Sequence, residues 1–431
     1  FSATKRVWVN GGTLELRNGT SLPDDVVLAV AAGAKVNIKA GVSETIGKLY
    51  LGGEPQVSGT WGATGSGAAH ENDDFFSGGG VVNVMAGPVG PTAALWDGGG
   101  DDLAISTAAN WVGDVLPSND GYTTATFAAG GTTAIVDTAF SFNRMVFNAD
   151  TDFTLAAGAG VITNGLNGLV AMTPNVTPRT YTIDEDVVFA NHQHWRISNN
   201  GTAVVTLDVT GTLSDNDAPC DLVFQGEGML RLSGNNTYRG KTTVVSTGAV
   251  EITHGNALGS ADGATEIRNG GYLCIEGGSG ITVAEPFIIG GEGILTGCGW
   301  HGAIRNVTGS NVLTGKITAH GGRIRALAGS PLELTGGADG SALVYTAVEN
   351  AWIRISGKPV STTRVTCHVG GGGVIFAVAG NTISEMFTGG HFVRFDVPNA
   401  FLPTMSLQQG SAGGQDSYVD LNGHDQVIGT F

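Results

Sequence analysis

The chain is poor in most of what marks a helical, disulfide-stapled or nucleic-acid-binding protein. Four cysteines in 431 residues (Cys220, Cys274, Cys298 and Cys367) are too few for a disulfide framework, and no CxxC pair offers a zinc ribbon or redox motif. Thirteen prolines without a Gly-X-Y period exclude collagen. Basic residues are scarce: 21 Lys and Arg against 38 Asp and Glu give a net charge of −17, a field that repels phosphate backbones and anionic lipid. Nucleic acid is therefore not an expected partner. No apolar run reaches the roughly 18 residues of a membrane span, so direct membrane insertion is not expected of this segment. The opening Phe1-Ser2-Ala3-Thr4-Lys5-Arg6 has neither an initiator Met nor a signal-peptide core, and Val419 to Phe431 stops within an alternating apolar segment. The sequence is expected to be a piece cut from something longer.

Glycine is what the chain has in excess, 70 residues spread over its whole length. Each Gly costs a helix roughly 1 kcal/mol relative to Ala, so this density argues for short strands joined by many turns. Alternating apolar runs such as Thr13 to Leu16, Lys35 to Ile38, Val81 to Val84, Val204 to Val209, Met229 to Leu232 and Ala351 to Ile355 supply the strands. The sequence also repeats itself. Val9-Asn10-Gly11-Gly12-Thr13-Leu14-Glu15-Leu16 matches Val245-Ser246-Thr247-Gly248-Ala249-Val250-Glu251-Ile252, and Leu51-Gly52-Gly53-Glu54 later matches Ile289-Gly290-Gly291-Glu292. A finer repeat aligns Ser233 to Thr243 with Thr308 to Thr318 on the skeleton S/T-G-x-N-x-x-x-G-K-x-T.

Short strands, Gly corners and internal repetition predict an all-β fold, a parallel β-solenoid (β-helix) in which each coil buries its inward residues against its neighbours. An antiparallel sandwich would use similar strands but leaves the repeat unexplained. Pro88 and Pro91 interrupt the alternation between Met85 and Ala94. The organisation expected is thus the C-terminal part of a first β-repeat module over 1–87, a Pro/Gly linker over 88–93, and a second, truncated solenoid module over 94–431. That second module opens non-repetitively, with Trp96 and Trp111 expected to cover an otherwise open end. Gly240 and Gly315 are expected at turns whose backbone a β-branched residue would resist, with simple crowding as the alternative. Cys274 and Cys298 are expected to stack within disulfide reach if a coil takes about 24 residues.

The segments Leu232 to Ile252 (LSGNNTYRGKTTVVSTGAVEI), Gly302 to Thr318, Ser330 to Gly337, Val57 to Ala68, Phe76 to Val84 and the Trp96 to Trp111 opening resemble the autotransporter-associated β-strand repeat family, also called passenger-associated transport repeats, of bacterial secreted surface proteins. The resemblance implies a β-solenoid passenger, extracellular or at the bacterial cell surface, whose repeats form a stalk and aid secretion. It implies no catalytic residues; separately, no cofactor is expected. Neighbouring repeat modules of the same chain, or a polysaccharide, would be the partners.

Other motifs compete with that reading. Gly234 to Thr242 (GNNTYRGKT) has the composition of a phosphate-binding loop but five residues between its glycines where four are required, so it reads as a repeat turn. His70-Glu71 lacks the second His of a zincin helix, and there is no GxSxG elbow. Cys298-x-x-His301 and Cys367-His368 match no common structural zinc spacing. Asp73-Asp74, Asp101-Asp102 and Asp184-Glu185-Asp186 could offer calcium their carboxylates, but they form neither a nonapeptide calcium repeat nor an EF-hand loop and read as solvated turns. His192, His194 and Arg196 would share one strand face, with Trp195 inward. In a carbohydrate-active β-helix such a face could abstract the proton beside a uronate carboxylate. Trp300, His301, Arg323 and Arg325 are candidates for stacking on and pairing with sugars. A non-catalytic stalk, passenger or adhesive element is the leading expectation; a polysaccharide lyase or glycan-binding β-helix is the alternative.

Overall fold

The structure, a computed structural model, describes residues 6–128, 131–216, 218–245, 247–268, 270–293, 295–296, 299–300, 302–368, 371–390, 392–410 and 416–431. Apart from one 3-10 turn, Ala108–Asn110, every regular element among them is a strand. The fold is a parallel β-solenoid of about 18 turns. The expected strands form where alternation placed them. Thr13–Leu16, Lys35–Ile38, Val81–Val84 and Met229–Leu232 match residue for residue, and Val205–Val209 and Trp352–Ile355 start one residue late.

The chain forms two compact units. The first comprises Phe1–Ala94, Val115–Ala125 and Ser141–Asn143, so the Pro/Gly segment 88–93 falls inside it. There the Thr123 hydroxyl donates to the Pro91 carbonyl at 2.8 Å and the Thr124 amide to that of Thr92 at 2.8 Å. Parallel ladders join Arg6–Val9, Val27–Val30 and Lys48–Leu51, and join Thr13–Leu16, Lys35–Ile38 and Phe76–Ser77. Leu28, Val36, Ile38 and Leu49 from these strands, and Ile46 and Val82 from the parallel pair Ser43–Ile46 and Val81–Val84, project into a core with no exposure. Buried Glu44 closes a corner by accepting the Ser21 and Leu22 amides at 3.0 and 2.8 Å.

The second unit comprises Leu95–Asp114, Thr126–Phe140 and Arg144–Phe431. Trp96 and Trp111 are buried edge to face, 5.4 Å apart, and both pack on Phe127, which continues into Phe147 and Phe153. From about Thr265 the coils gain a third side. The first face stacks Thr242–Val245, Thr265–Ile267, Phe287–Gly290 and Ile317–His320. The second stacks Ala249–Ile252, Tyr272–Glu276, Ile304–Thr308 and Gly322–Ala326. Farther on, single strands such as Ala338–Ala347 and Val360–Cys367 bend from the first face into the second. The third face is a seven-stranded sheet: Thr282–Val283, Asn311–Leu313, Leu332–Leu334, Trp352–Ile355, Gly373–Phe376, Phe392–Phe395 and Tyr418–Asp420. Register turns single positions into continuous columns, such as Phe224, Val244, Ile267, Ile289 and Ala319, all buried.

The repeated skeleton now has a physical reading at each position. Its Asn points inward and spans two gaps: Asn236 accepts the Leu213 amide at 2.7 Å and donates to the Ala257 carbonyl at 2.6 Å. The sister Asn311 accepts the Ile281 amide at 2.7 Å, and Asn381, outside the repeat found by sequence, accepts the Val360 amide at 2.8 Å and donates to the Ala400 carbonyl at 2.8 Å. The Lys faces out, where Lys241 pairs with Glu266 at 2.7 Å and Lys316 with Asp339 at 2.5 Å, carboxylates one coil on. The Gly is required for the alternative reason, crowding, and not for its backbone conformation. Neither Gly240 nor Gly315 is among the glycines of positive φ. Instead, a Cβ on Gly240 would collide with the Cys220 backbone, and one on Gly315 with that of Glu285. The corner brings successive coils too close for any side chain.

Coil length also departs from the expected 24 residues. Cys274 stacks on Arg305, a step of 31 residues, because the excursion that pairs Leu295–Thr296 with Gly299–Trp300 is inserted here. Cys298 lies outside the described residues, and Cys274 carries a thiol. Two substitutions test the corner. Gly315→Val should lower stability by on the order of 1 to 3 kcal/mol through the forced separation of coils, whereas Gly11→Ala, which meets nothing within 4 Å, should be near neutral. Asn236→Leu strands two buried backbone groups and should cost on the order of 2 to 4 kcal/mol in urea titrations.

Candidate functional site

The strand Gln193–Ser198 alternates as its sequence suggests. Trp195 is fully buried against Phe189, its indole donating to Gln193 at 3.1 Å, while His194 and Arg196 are exposed on the opposite face. His192 lies just before the strand, where its Nδ1 accepts the Asp221 amide at 2.9 Å. Arg196 donates to the Ser198 hydroxyl at 3.1 Å and borders a polar hollow of about 410 Å³ with Gln225, Glu227 and Thr247.

Arg323 is not a surface residue. It is 6% exposed, and its guanidinium is held by Glu292 at 3.1 Å and Thr346 at 3.0 Å. Its neighbour His368 is pushed toward the neutral form, first by burial and then by the Arg323 charge, with Glu292 opposing. Arg325 is half-buried on the same strand, beside Thr346 in register. Trp300 ends the short strand Gly299–Trp300, and His301 lies outside the described residues. The acidic run Asp184-Glu185-Asp186 is engaged within the fold: Asp186 accepts the Thr212 amide at 2.7 Å, Glu185 the Gly158 amide at 2.9 Å, and Asp184 the Thr210 hydroxyl at 2.6 Å. Among the described residues no three His, Cys, Asp or Glu are grouped to hold a metal ion.

The arrangement that sequence reasoning missed is on the third face. Register places Trp352, Gly373, Phe392 and Tyr418 in one outward column and Glu333, Arg354, Ile375, Arg394 and Asp420 in the next. Gly373 leaves room for the Trp352 indole to lie over its backbone and meet Phe392 edge to face at 5.5 Å. On its other side, Ser310, Val312 and Pro331 are small, and a hollow of about 370 Å³ opens between them, Trp352 and Arg354. Asp396 organises the charges, bridging Arg354 at 2.7 Å and Arg394 at 2.6 Å. Partial burial pushes its carboxyl up, but the two arginine hydrogen bonds together outweigh that and leave it below the usual range. The signal was present in sequence: Trp352-Ile353-Arg354-Ile355 and Phe392-Val393-Arg394-Phe395 share an aromatic-x-Arg pattern, two coils apart.

Comparison with known proteins gives one remote relative. The chain is 23% identical, over 448 aligned residues and 87% of its length, to "Adhesin BmaC autotransporter" of Brucella suis biovar 1 (strain 1330), of which it spans 13%. This weak homology and the β-solenoid are consistent with autotransporter-associated repeat proteins. No family model matches the chain, and no solved structure does. Among the described residues no helix is long and apolar enough to cross a membrane.

One buried acid gives the solenoid a pH dependence. Glu285 is 3% exposed; one oxygen accepts from Thr265 at 3.3 Å and the other has no partner among the described residues. Burial raises its pKa to about 8, against a weaker opposing pull from Thr265. The folded state therefore holds a proton that the unfolded chain releases near its ordinary value of 4.5. This contribution is complete below that value and is lost as pH rises toward 8, at up to about 1.4 kcal/mol per pH unit. Denaturation midpoints should fall between about pH 5 and about pH 9, and Glu285→Gln should flatten that part of the curve.

Proposed function

We propose that this chain is a non-catalytic segment of a large bacterial secreted or surface-displayed protein, acting as stalk, passenger or adhesive element. The carrying observation is that likeness to an autotransporter adhesin runs along 87% of the chain, on a parallel β-solenoid. The architecture suits the task. Each coil is fastened to the next by backbone ladders and by side chains such as Asn236, so the fold can be lengthened coil by coil. A solenoid also leaves its outward columns free to vary, which is what a surface that meets other surfaces requires.

Lyase chemistry is less well supported. It needs a base and cations converging on one uronate, whereas His192 is turned to Asp221 and Arg323 is closed off by Glu292 and Thr346. Beads coated with the purified chain should adhere to host-cell or matrix-coated surfaces several-fold better than beads coated with an unrelated acidic protein. Incubation with acidic polysaccharides should leave ultraviolet absorbance unchanged. Adhesion at the control level would remove the adhesive role, and the appearance of unsaturated-uronate absorbance would overturn the non-catalytic reading.

A further inference from the structure

We infer that the hollow beside Trp352 on the third face is a binding site for an extended, neutral glycan. The inference rests on the adhesive reading above and gives it a ligand class. Three observations carry it. The first is shape: about 370 Å³, within the roughly 300–1,000 Å³ of small-ligand sites, with a half-buried indole as one wall and Val312, Pro331 and Ile375 supplying apolar surface. An indole offers a broad apolar surface on which the C–H face of a sugar ring can lie.

The second is the rim. Glu333 and Arg354 border the hollow, and Arg354 is fixed by Asp396 at 2.7 Å, with Glu333 3.7 Å away and itself accepting from Ser356 at 2.6 Å. A carboxylate held beside a guanidinium presents an acceptor next to donors, which is the pattern that neighbouring sugar hydroxyls satisfy. Because these charges already neutralise one another, and the chain carries −17 overall, an anionic polymer gains little here and is repelled at longer range. The third is extension along the solenoid: Phe392 lies two coils beyond Trp352 and Tyr418, 61% exposed, one coil farther. Trp352 and Phe392 meet edge to face at 5.5 Å as one aromatic cluster, and Tyr418 continues it along the solenoid axis. A peptide fits less well. The strands Leu332–Leu334, Trp352–Ile355 and Gly373–Phe376 are paired on both sides, so no backbone edge is open for strand addition, and the ion pairs interrupt the apolar surface an amphipathic segment would need.

The test uses the full chain, with affinity electrophoresis through gels containing soluble neutral β-linked glucan, xylan or mannan, and parallel gels containing polygalacturonate or hyaluronan. Retardation by at least one neutral glycan is expected. Trp352→Ala should weaken it at least tenfold, Trp352→Phe should retain most of it, and Arg354→Gln should weaken it with the indole intact. Circular dichroism melts establish that each variant is folded. Retardation by acidic glycans alone, by none of the panel, or to the same degree in folded Trp352→Ala would overturn the inference. Saturable binding of an apolar peptide lost in Trp352→Ala, without glycan binding, would also overturn it in favour of a protein ligand. The bead assay reads the adhesive role separately: adhesion that persists without glycan retardation sinks this site and leaves that role standing.

Discussion

The spacing between neighbouring backbones in a parallel ladder, about 4.8 Å, is the constraint on which the rest of this protein depends. A parallel strand cannot return through a tight hairpin, so the chain must travel round a coil before it pairs again. Each inward residue then has its closest neighbours one coil away. Columns such as Leu313, Leu334, Ile355, Phe376 and Phe395 follow from that. So do the glycines at corners where coils close up: Gly240 sits against Cys220, and Gly263 in turn against Gly240. So do the buried asparagines, because an amide side chain has both a donor and an acceptor and can serve the coil on either side of it. Outside, the same spacing brings Asp208, Arg231 and Glu251 into one ladder, with Arg231 2.5 Å from Glu251 and 3.5 Å from Asp208.

How much was legible in the sequence depended on whether the relevant contact is local. Strand positions are local, since alternation over four residues decides which side chains face the core, and these were read correctly. Parallel pairing was legible indirectly, through the repeat. At Gly240 strained backbone and crowding both stayed open, because what excludes a side chain there is the backbone of Cys220, 20 residues earlier, and nothing within the turn reveals it. Coil length was similarly hidden: Thr242 follows Leu222 by 20 residues and Ile317 follows Phe287 by 30, since excursions at corners change the count without disturbing the ladder. A fixed period therefore misplaced the neighbour of Cys274.

The candidate sites show the same division. Exposure of His194 and Arg196 and burial of Trp195 follow from alternation and were foreseen. Burial of Arg323 was not, because it depends on Glu292, which reaches it from 31 residues away at the base of an inserted excursion. The Trp352 hollow exists because Gly373, one coil on, lets the indole lean away from Pro331 and Ser310. Composition noted the tryptophan, but only register shows what lies on either side of it.

That separation of roles bears on how such a protein can diverge. The ladder restricts a minority of positions: the inward columns, the corner glycines and the bridging asparagines. Apolar residues substitute for one another within an inward column, as Phe224, Val244, Ile267, Ile289 and Ala319 do in one. Outward columns are restricted only by their neighbours of like or opposite charge. Identity as low as 23% is therefore compatible with a shared coil, and it is the outward columns that would carry whatever distinguishes one such solenoid from another. On this chain one outward column unlike a solvated surface runs from Trp352 over Gly373 to Phe392 and Tyr418. A structural stalk gains little from half-exposed aromatics beside fixed ion pairs, since exposed apolar area stabilises nothing until something covers it.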